Sequence, residues 1–237
     1  MPTIVFSSSK GGAGKTTSAL LLALQLSKAY PTTLIDADPN RPITRWTTGG
    51  KKPDDLTVLS DVNEDNILER IEEAAAVTPV VIVDLEGTAA KIVLLAVSQA
   101  DFVVIPTQGS ELDATEASRG IKVVRQHEKM TGRRMPYSVL LTRTNPAIRT
   151  KNTNQIANSL RTVGIPVFKT ELNEREAFKS IFSFRETLDG LNPAEVANLD
   201  KARRNIEEFA IEILQKLAGN KVSHAAGNPV THTTGAV

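Results

Sequence analysis

Four short runs, residues 4–6, 80–83, 102–105 and 139–141, hold only apolar side chains. A strand with one wet face alternates apolar and polar residues. An unbroken apolar strand is covered on both sides, the condition of a parallel sheet held between two layers of helices. Helical periodicity over 16–29, 66–76, 89–97, 112–130 and 150–162 fills the intervals between the runs. This alternation predicts right-handed βαβ units and one α/β domain, a doubly wound and mostly parallel sheet flanked by helices. A last helix is expected over 194–218, where Val196, Leu199, Ile206, Phe209, Ile213, Leu214 and Leu217 recur. From Gly219 onward the composition turns to Gly, Asn, Thr, His and Pro. The expected organisation is therefore an ordered domain over 1–218 and a disordered tail over 219–237. His224 and His232 lie in that tail, and two isolated histidines there are not read as a metal site.

Composition narrows the function. With 237 residues and 41% hydrophobic, the chain can bury a sizeable core. The absence of cysteine excludes disulfide scaffolds, cysteine nucleophiles, thiolate zinc sites and iron–sulfur clusters. The uncharged stretch 16–27 is too short to span a bilayer, and no charged segment precedes it as in a signal peptide. A cytoplasmic protein is expected. Net charge is only +1, so a globally basic nucleic-acid coat is excluded. The charge is nevertheless segregated: 54–73 hold eight acids against Arg70, whereas 129–170 hold eight bases and no acid. A solvated helix face explains part of this, and a polyanion surface is the sharper alternative.

Between the first apolar run and the first helix stands Ser9-Lys10-Gly11-Gly12-Ala13-Gly14-Lys15-Thr16-Thr17. Glycines let the backbone turn its N–H groups inward, and the following helix N-terminus adds its dipole, so the segment can cradle a polyphosphate. A lysine at the position of Lys15 contacts β/γ oxygens, and the hydroxyl of Thr16 suits Mg²⁺. Gly11, Gly12, Ala13, Gly14 and Thr17 complete the nucleotide contacts expected of the loop. A bland glycine-rich turn would not account for Lys15-Thr16 at this spacing.

The loop replaces the usual first glycine by Ser9 and adds Lys10. In this form it resembles the deviant Walker A loop of the ParA/MinD family of P-loop ATPases. The resemblance implies that Lys10 reaches across a homodimer interface to the partner's nucleotide, while Lys15 acts in cis. Leu34-Ile35-Asp36-Ala37-Asp38-Pro39-Asn40 resembles the family's second box, both carboxylates being expected just past a strand end. By that resemblance Asp36 helps organise Mg²⁺ and Asp38 positions the attacking water. Val80-Val81-Ile82-Val83-Asp84 reads as a Walker B strand whose Asp84 belongs to the Mg²⁺ shell. Leu85-Glu86-Gly87-Thr88 then departs from the family pattern. The turn beginning Ile105-Pro106-Thr107-Gln108 resembles the family's strand-to-helix turn, which places Pro106 beside the nucleotide. Thr142-Arg143 stands where many relatives carry an adenine-contacting Asn, so base recognition is unassigned.

Arg41–Trp46 and residues 168–181 resemble the small, ParF-type plasmid-partition subgroup, and also the ParA-like protein that assists T-DNA transfer. Larger partition ATPases carry an N-terminal helix-turn-helix domain, whereas this sequence opens on its first expected strand, so operator-specific autorepression is not expected of it. The implied function is an ATP hydrolase in which Mg-ATP drives a sandwich homodimer. That dimer binds DNA non-specifically on the nucleoid, and a ParB-type centromere-binding partner stimulates release. Charge and loose resemblance nominate Arg149, Lys151, Arg161, Arg175, Lys179, Arg203 and Arg204 as DNA contacts; Arg203 and Arg204 could instead pair with Glu207 and Glu208. The same switch could position a conjugation or T-DNA complex instead of a plasmid. A MinD-type membrane role is disfavoured because 221–237 carry one lysine and no aromatic residue. Trp46 suits a dimer contact or, more commonly, core packing.

Overall fold

Every apolar run becomes a strand covered on both faces. In chain order the elements are β1 (Thr3–Phe6), α1 (Lys15–Leu26), β2 (Thr32–Ala37), α2 (Pro42–Thr47), β3 (Leu56–Leu59), α3 (Ile67–Val77), β4 (Val80–Leu85) and α4 (Ala90–Ser98). There follow β5 (Phe102–Thr107), α5 (Glu111–Thr131), β6 (Tyr137–Thr144), α6 (Lys151–Thr162), β7 (Leu172–Asn173), α7 (Glu176–Phe184) and α8 (Leu199–Ala226). The structure, a computed structural model, describes residues 1–8, 11–86, 90–108, 111–145 and 151–226, without the side chains of 90, 111–116, 151–154 and 221–226.

The strands form one sheet in the order β3-β2-β4-β1-β5-β6-β7, and all the pairings are parallel. Successive residues feed opposite layers, as the two-residue repeat of a strand requires. Ile4, Phe6, Leu34, Ile82, Val104 and Leu140 pack under α1, α2, α7 and α8. Val5, Ile35, Val83, Val103, Ile105 and Val139 pack under α3, α4, α5 and α6. Helix α1 lies between the sheet and α8, so Leu20, Leu21 and Leu22 are at most 1% exposed. Each such leucine contributes about 1.5–3 kcal/mol by leaving water. Trp46 is core: it is 2% exposed, and its Nε1 donates to the Ile181 carbonyl at 2.9 Å. That bond ties α2 to α7.

Two boundaries differ from expectation in ways that matter. Asp36 does not follow its strand; it is the fifth residue of β2, paired in register with Asp84 of β4. Pairing with β4, which continues through Ala37 after the pairing with β3 has ended at Ile35, keeps the chain extended there despite aspartate's poor strand propensity. Only Asp38 lies past the strand end. At the other end, α8 does not stop before Gly219 but runs to Ala226. A change to small polar residues is not a helix stop, since Ala225 and Ala226 favour helix; the proline that cannot continue one comes later, at Pro229. Residues 227–237 lie outside the described residues.

Candidate functional site

Neighbouring strands β1 and β5 send the chain in opposite directions, to β2 and to β6. The crevice beyond their carboxyl ends is where open α/β sheets take ligands. Ser7 extends the ladder one step beyond β1, its N–H donating to the Val104 carbonyl at 3.0 Å. The glycine loop then crosses the crevice, with Gly12 at φ 79° and Gly14 at φ 90°. Both values lie in the left-handed region that a side chain strains. Gly14 is the N-cap of α1, and its carbonyl accepts the Ser18 N–H at 2.9 Å.

Lys15 opens α1 and is 8% exposed. Burial pushes its ammonium below the ordinary lysine range, while Asp84, then Asp38 and Glu86, pull the other way. A lysine at the first turn of a helix, where the backbone N–H groups and the helix dipole add positive potential, sits where a phosphate would be received. Thr16 and Thr17 follow on the same turn, both half-buried.

Asp36 and Asp84 face the crevice from adjacent strands. Thr44 donates to Asp36 Oδ2 twice, from its N–H at 2.8 Å and its hydroxyl at 2.7 Å. Asp36 Oδ1 and both carboxylate oxygens of Asp84 are buried without a hydrogen bond. Burial raises the pKa of Asp36 against those two Thr44 donors. Burial pushes Asp84 up to about 7; the neighbouring Thr16 hydroxyl and the Lys15 charge oppose the shift, and Asp36 and Asp38 add to it. Three orphaned carboxylate oxygens beside a threonine hydroxyl fit a hard divalent cation such as Mg²⁺. Among the described residues no group of three or more His, Cys, Asp or Glu could hold a metal by itself.

Asp38 is half-buried, and its Oδ1 accepts the Asn40 N–H at 2.8 Å and the Asn40 side-chain amide at 3.0 Å. Pro106 is buried within β5, and the contact to the loop is made two residues later, by Gln108 Nε2 to the Gly12 carbonyl at 2.8 Å. The Thr142 hydroxyl reaches the Ala13 carbonyl at 2.8 Å. The sequence singled out Thr142 only as a departure and gave Gln108 no role. Beside Gly14 and Thr17 opens a cavity of about 290 Å³, lined by Leu21, Asn173, Phe178 and Phe182.

Lys10 lies outside the described residues, as do Arg149 and the side chain of Lys151. The remaining expected DNA contacts are not brought together. Arg161 is exposed on α6, over one face of the sheet, whereas Arg175, Lys179, Arg203 and Arg204 belong to the other layer. Arg203 is held by Asp189 and Asp200, both at 2.9 Å, and by the Leu188 carbonyl, rather than by Glu207 or Glu208. Lys179 lies 3.1 Å from Glu174. Arg175 donates to Asn173 Oδ1 at 2.9 Å, and burial lowers its pKa. Arg204 is exposed.

A family model described as VirC1 protein matches residues 1–222. The chain is 39% identical to "Protein ParA" of Rhizobium radiobacter over 218 residues, 92% of this chain and 98% of that one. It is 29% identical to "Protein virC1" of Rhizobium rhizogenes over 194 residues, 76% and 80% of the two chains. The fold matches that of Cyanothece McdA in its ATP complex with a TM-score of 0.72 and 17% identity, over 98% of this chain and 99% of that one. No helix among the described residues is long and apolar enough to cross a membrane.

Proposed function

The chain belongs to the VirC1 family of ParA-like proteins, and from that premise we propose that it is an ATP-dependent DNA-partition ATPase. The observation that carries this reading is a buried Lys15 at the mouth of a left-handed glycine loop, next to the orphaned oxygens of Asp36 and Asp84. Lys15 and the loop N–H groups hold the β and γ phosphates of ATP, and Thr16, Asp36 and Asp84 hold Mg²⁺. The metal, when bound, neutralises charge on the phosphate oxygens. Asp38 orients a water for attack on the γ-phosphorus, giving ADP and phosphate; hydrolysis is slow until a ParB-type partner completes the site. Phosphoryl transfer needs chiefly such positioning and charge compensation. Lys10 reaches the nucleotide of a second copy, so ATP drives a homodimer.

In that state the dimer binds duplex DNA through phosphates, without reading bases, and the protein works in the cytoplasm on the nucleoid. Arg149, Lys151, Arg161 and Arg204 are the contacts we favour, because Lys179 and Arg203 already have acidic partners within the chain. The VirC1 match supports a second reading, in which the same switch positions a T-DNA or conjugation complex. Fluorescence anisotropy with non-specific duplex DNA, in Mg-ATP, Mg-ADP and no nucleotide, tests the choice across a salt series. Tight, steeply salt-dependent binding only with ATP is expected. Absence of binding in every state would leave the ATPase and move the cargo to protein.

A further inference from the structure

A phosphate loop works only if its peptide N–H groups point at the ligand, and glycine leaves each peptide free to face either way. We propose that Gln108 and Thr142 are positioning residues that set which way the loop peptides face; this rests on the phosphate-binding reading of the loop. In a trans peptide the carbonyl of one residue points opposite to the N–H of the next, and no cis peptide occurs among the described residues. Gln108 Nε2 holds the Gly12 carbonyl at 2.8 Å. The Ala13 N–H, on the far side of that peptide, is thereby turned away from Gln108. The Thr142 hydroxyl holds the Ala13 carbonyl at 2.8 Å, which turns the Gly14 N–H away from β6.

The two clamps come from different strands. Gln108 follows β5 and Thr142 lies in β6, so the loop is gripped from the side of the sheet opposite β2 and β4, which carry the carboxylates. The hydroxyl of Thr142 has one proton and two carbonyls in reach, Ala13 at 2.8 Å and Thr107 at 3.2 Å. The shorter distance gives the proton to the loop. The Thr142 side chain also stands 3.4 Å from where a Cβ on Gly14 would lie, so the hydroxyl is packed against the peptide it orients. At the position where the resemblance leads one to expect an Asn that reads the base, this chain has a side chain that grips the phosphate loop instead.

Thr142→Val keeps the shape and removes the donor. Gln108→Leu does the same at a half-buried position where failure to fold is not expected. Calorimetric titration of Mg-ATP into the full chain should show each variant binding about tenfold more weakly, the net size of one well-made hydrogen bond. Thr142→Ser, which keeps the hydroxyl, should restore the affinity, and the melting temperature without nucleotide should fall by no more than a few degrees in any variant, the cost of one hydrogen bond in a domain of this size. Wild-type failure to bind ATP would overturn the phosphate reading and this inference with it. Wild-type binding matched by both Thr142→Val and Gln108→Leu would overturn the inference alone. Equal losses in Thr142→Val and Thr142→Ser would also overturn it, because they would assign the effect to packing.

Discussion

Two corners of this molecule treat buried polar groups in opposite ways. Where β7 meets α8, they are answered from within: Asn205 accepts the Asn173 N–H at 3.0 Å and donates to the Glu171 carbonyl at 2.8 Å. Glu212 accepts the N–H groups of Lys169 and Thr170 at 2.9 and 2.8 Å. At the ends of β2 and β4, three carboxylate oxygens are buried without a well-formed hydrogen bond, with only the Thr16 hydroxyl beside Asp84. A buried polar atom left unmade costs about 1–3 kcal/mol, and more when charged. Apart from Arg175 Nε, which is buried without a hydrogen bond, the first corner is finished as it folds; the second is finished only by something that arrives. The difference separates groups that build the protein from groups that work.

The comparison breaks most easily at Asp84. Its pKa is raised from 3.8 to about 7, so the folded chain holds that proton more tightly than the unfolded chain does. The contribution of Asp84 to stability without nucleotide is therefore fully present below about pH 4 and is lost as pH rises through about 7, on the order of several kcal/mol. Asp36, also raised, adds in the same direction. Urea denaturation at about pH 5 and about pH 8 should show the wild type much weaker at the higher pH, and Asp84→Asn with only the smaller dependence left by Asp36. A wild type more stable at pH 8 would mean that the acids are already answered.

Where charged groups near the start of α8 are likewise answered from within the chain, effects should be small. Arg203→Ala removes contacts to two exposed acids, Asp189 and Asp200, and should cost at most about 1 kcal/mol. Its DNA affinity in Mg-ATP should equal the wild type's, whereas Arg204→Ala should weaken binding and flatten the salt dependence. Equal losses in anisotropy for both would place Arg203 on the DNA.

Much of this division was legible in the sequence, for a physical reason. Residues 80–83 and 102–105 are apolar throughout because both sheet faces are covered, so the layers could be read directly. Lys15 and Thr16 were legible because their spacing from the glycines is local. What escaped is non-local or short. Gln108 meets Gly12 across 96 residues and Thr142 meets Ala13 across 129, distances that no local pattern encodes. Strand β7 has two residues and α2 has six, too few to show a period. Asp36 was expected just past the strand end, where open α/β sheets take ligands; the strand pairing that sets it beside Asp84 keeps it inside β2.

The most direct test is calorimetry of ATP binding to the wild type at about pH 6.5, once with Mg²⁺ and once with EDTA. If Asp36 and Asp84 are completed by a divalent cation, Mg²⁺ should tighten binding by at least about tenfold, or ~1.4 kcal/mol. Protons should be released as Asp84 ionises, and Lys15→Ala should lose binding under both conditions. Equal affinity with and without Mg²⁺, and no proton release, would contradict the account.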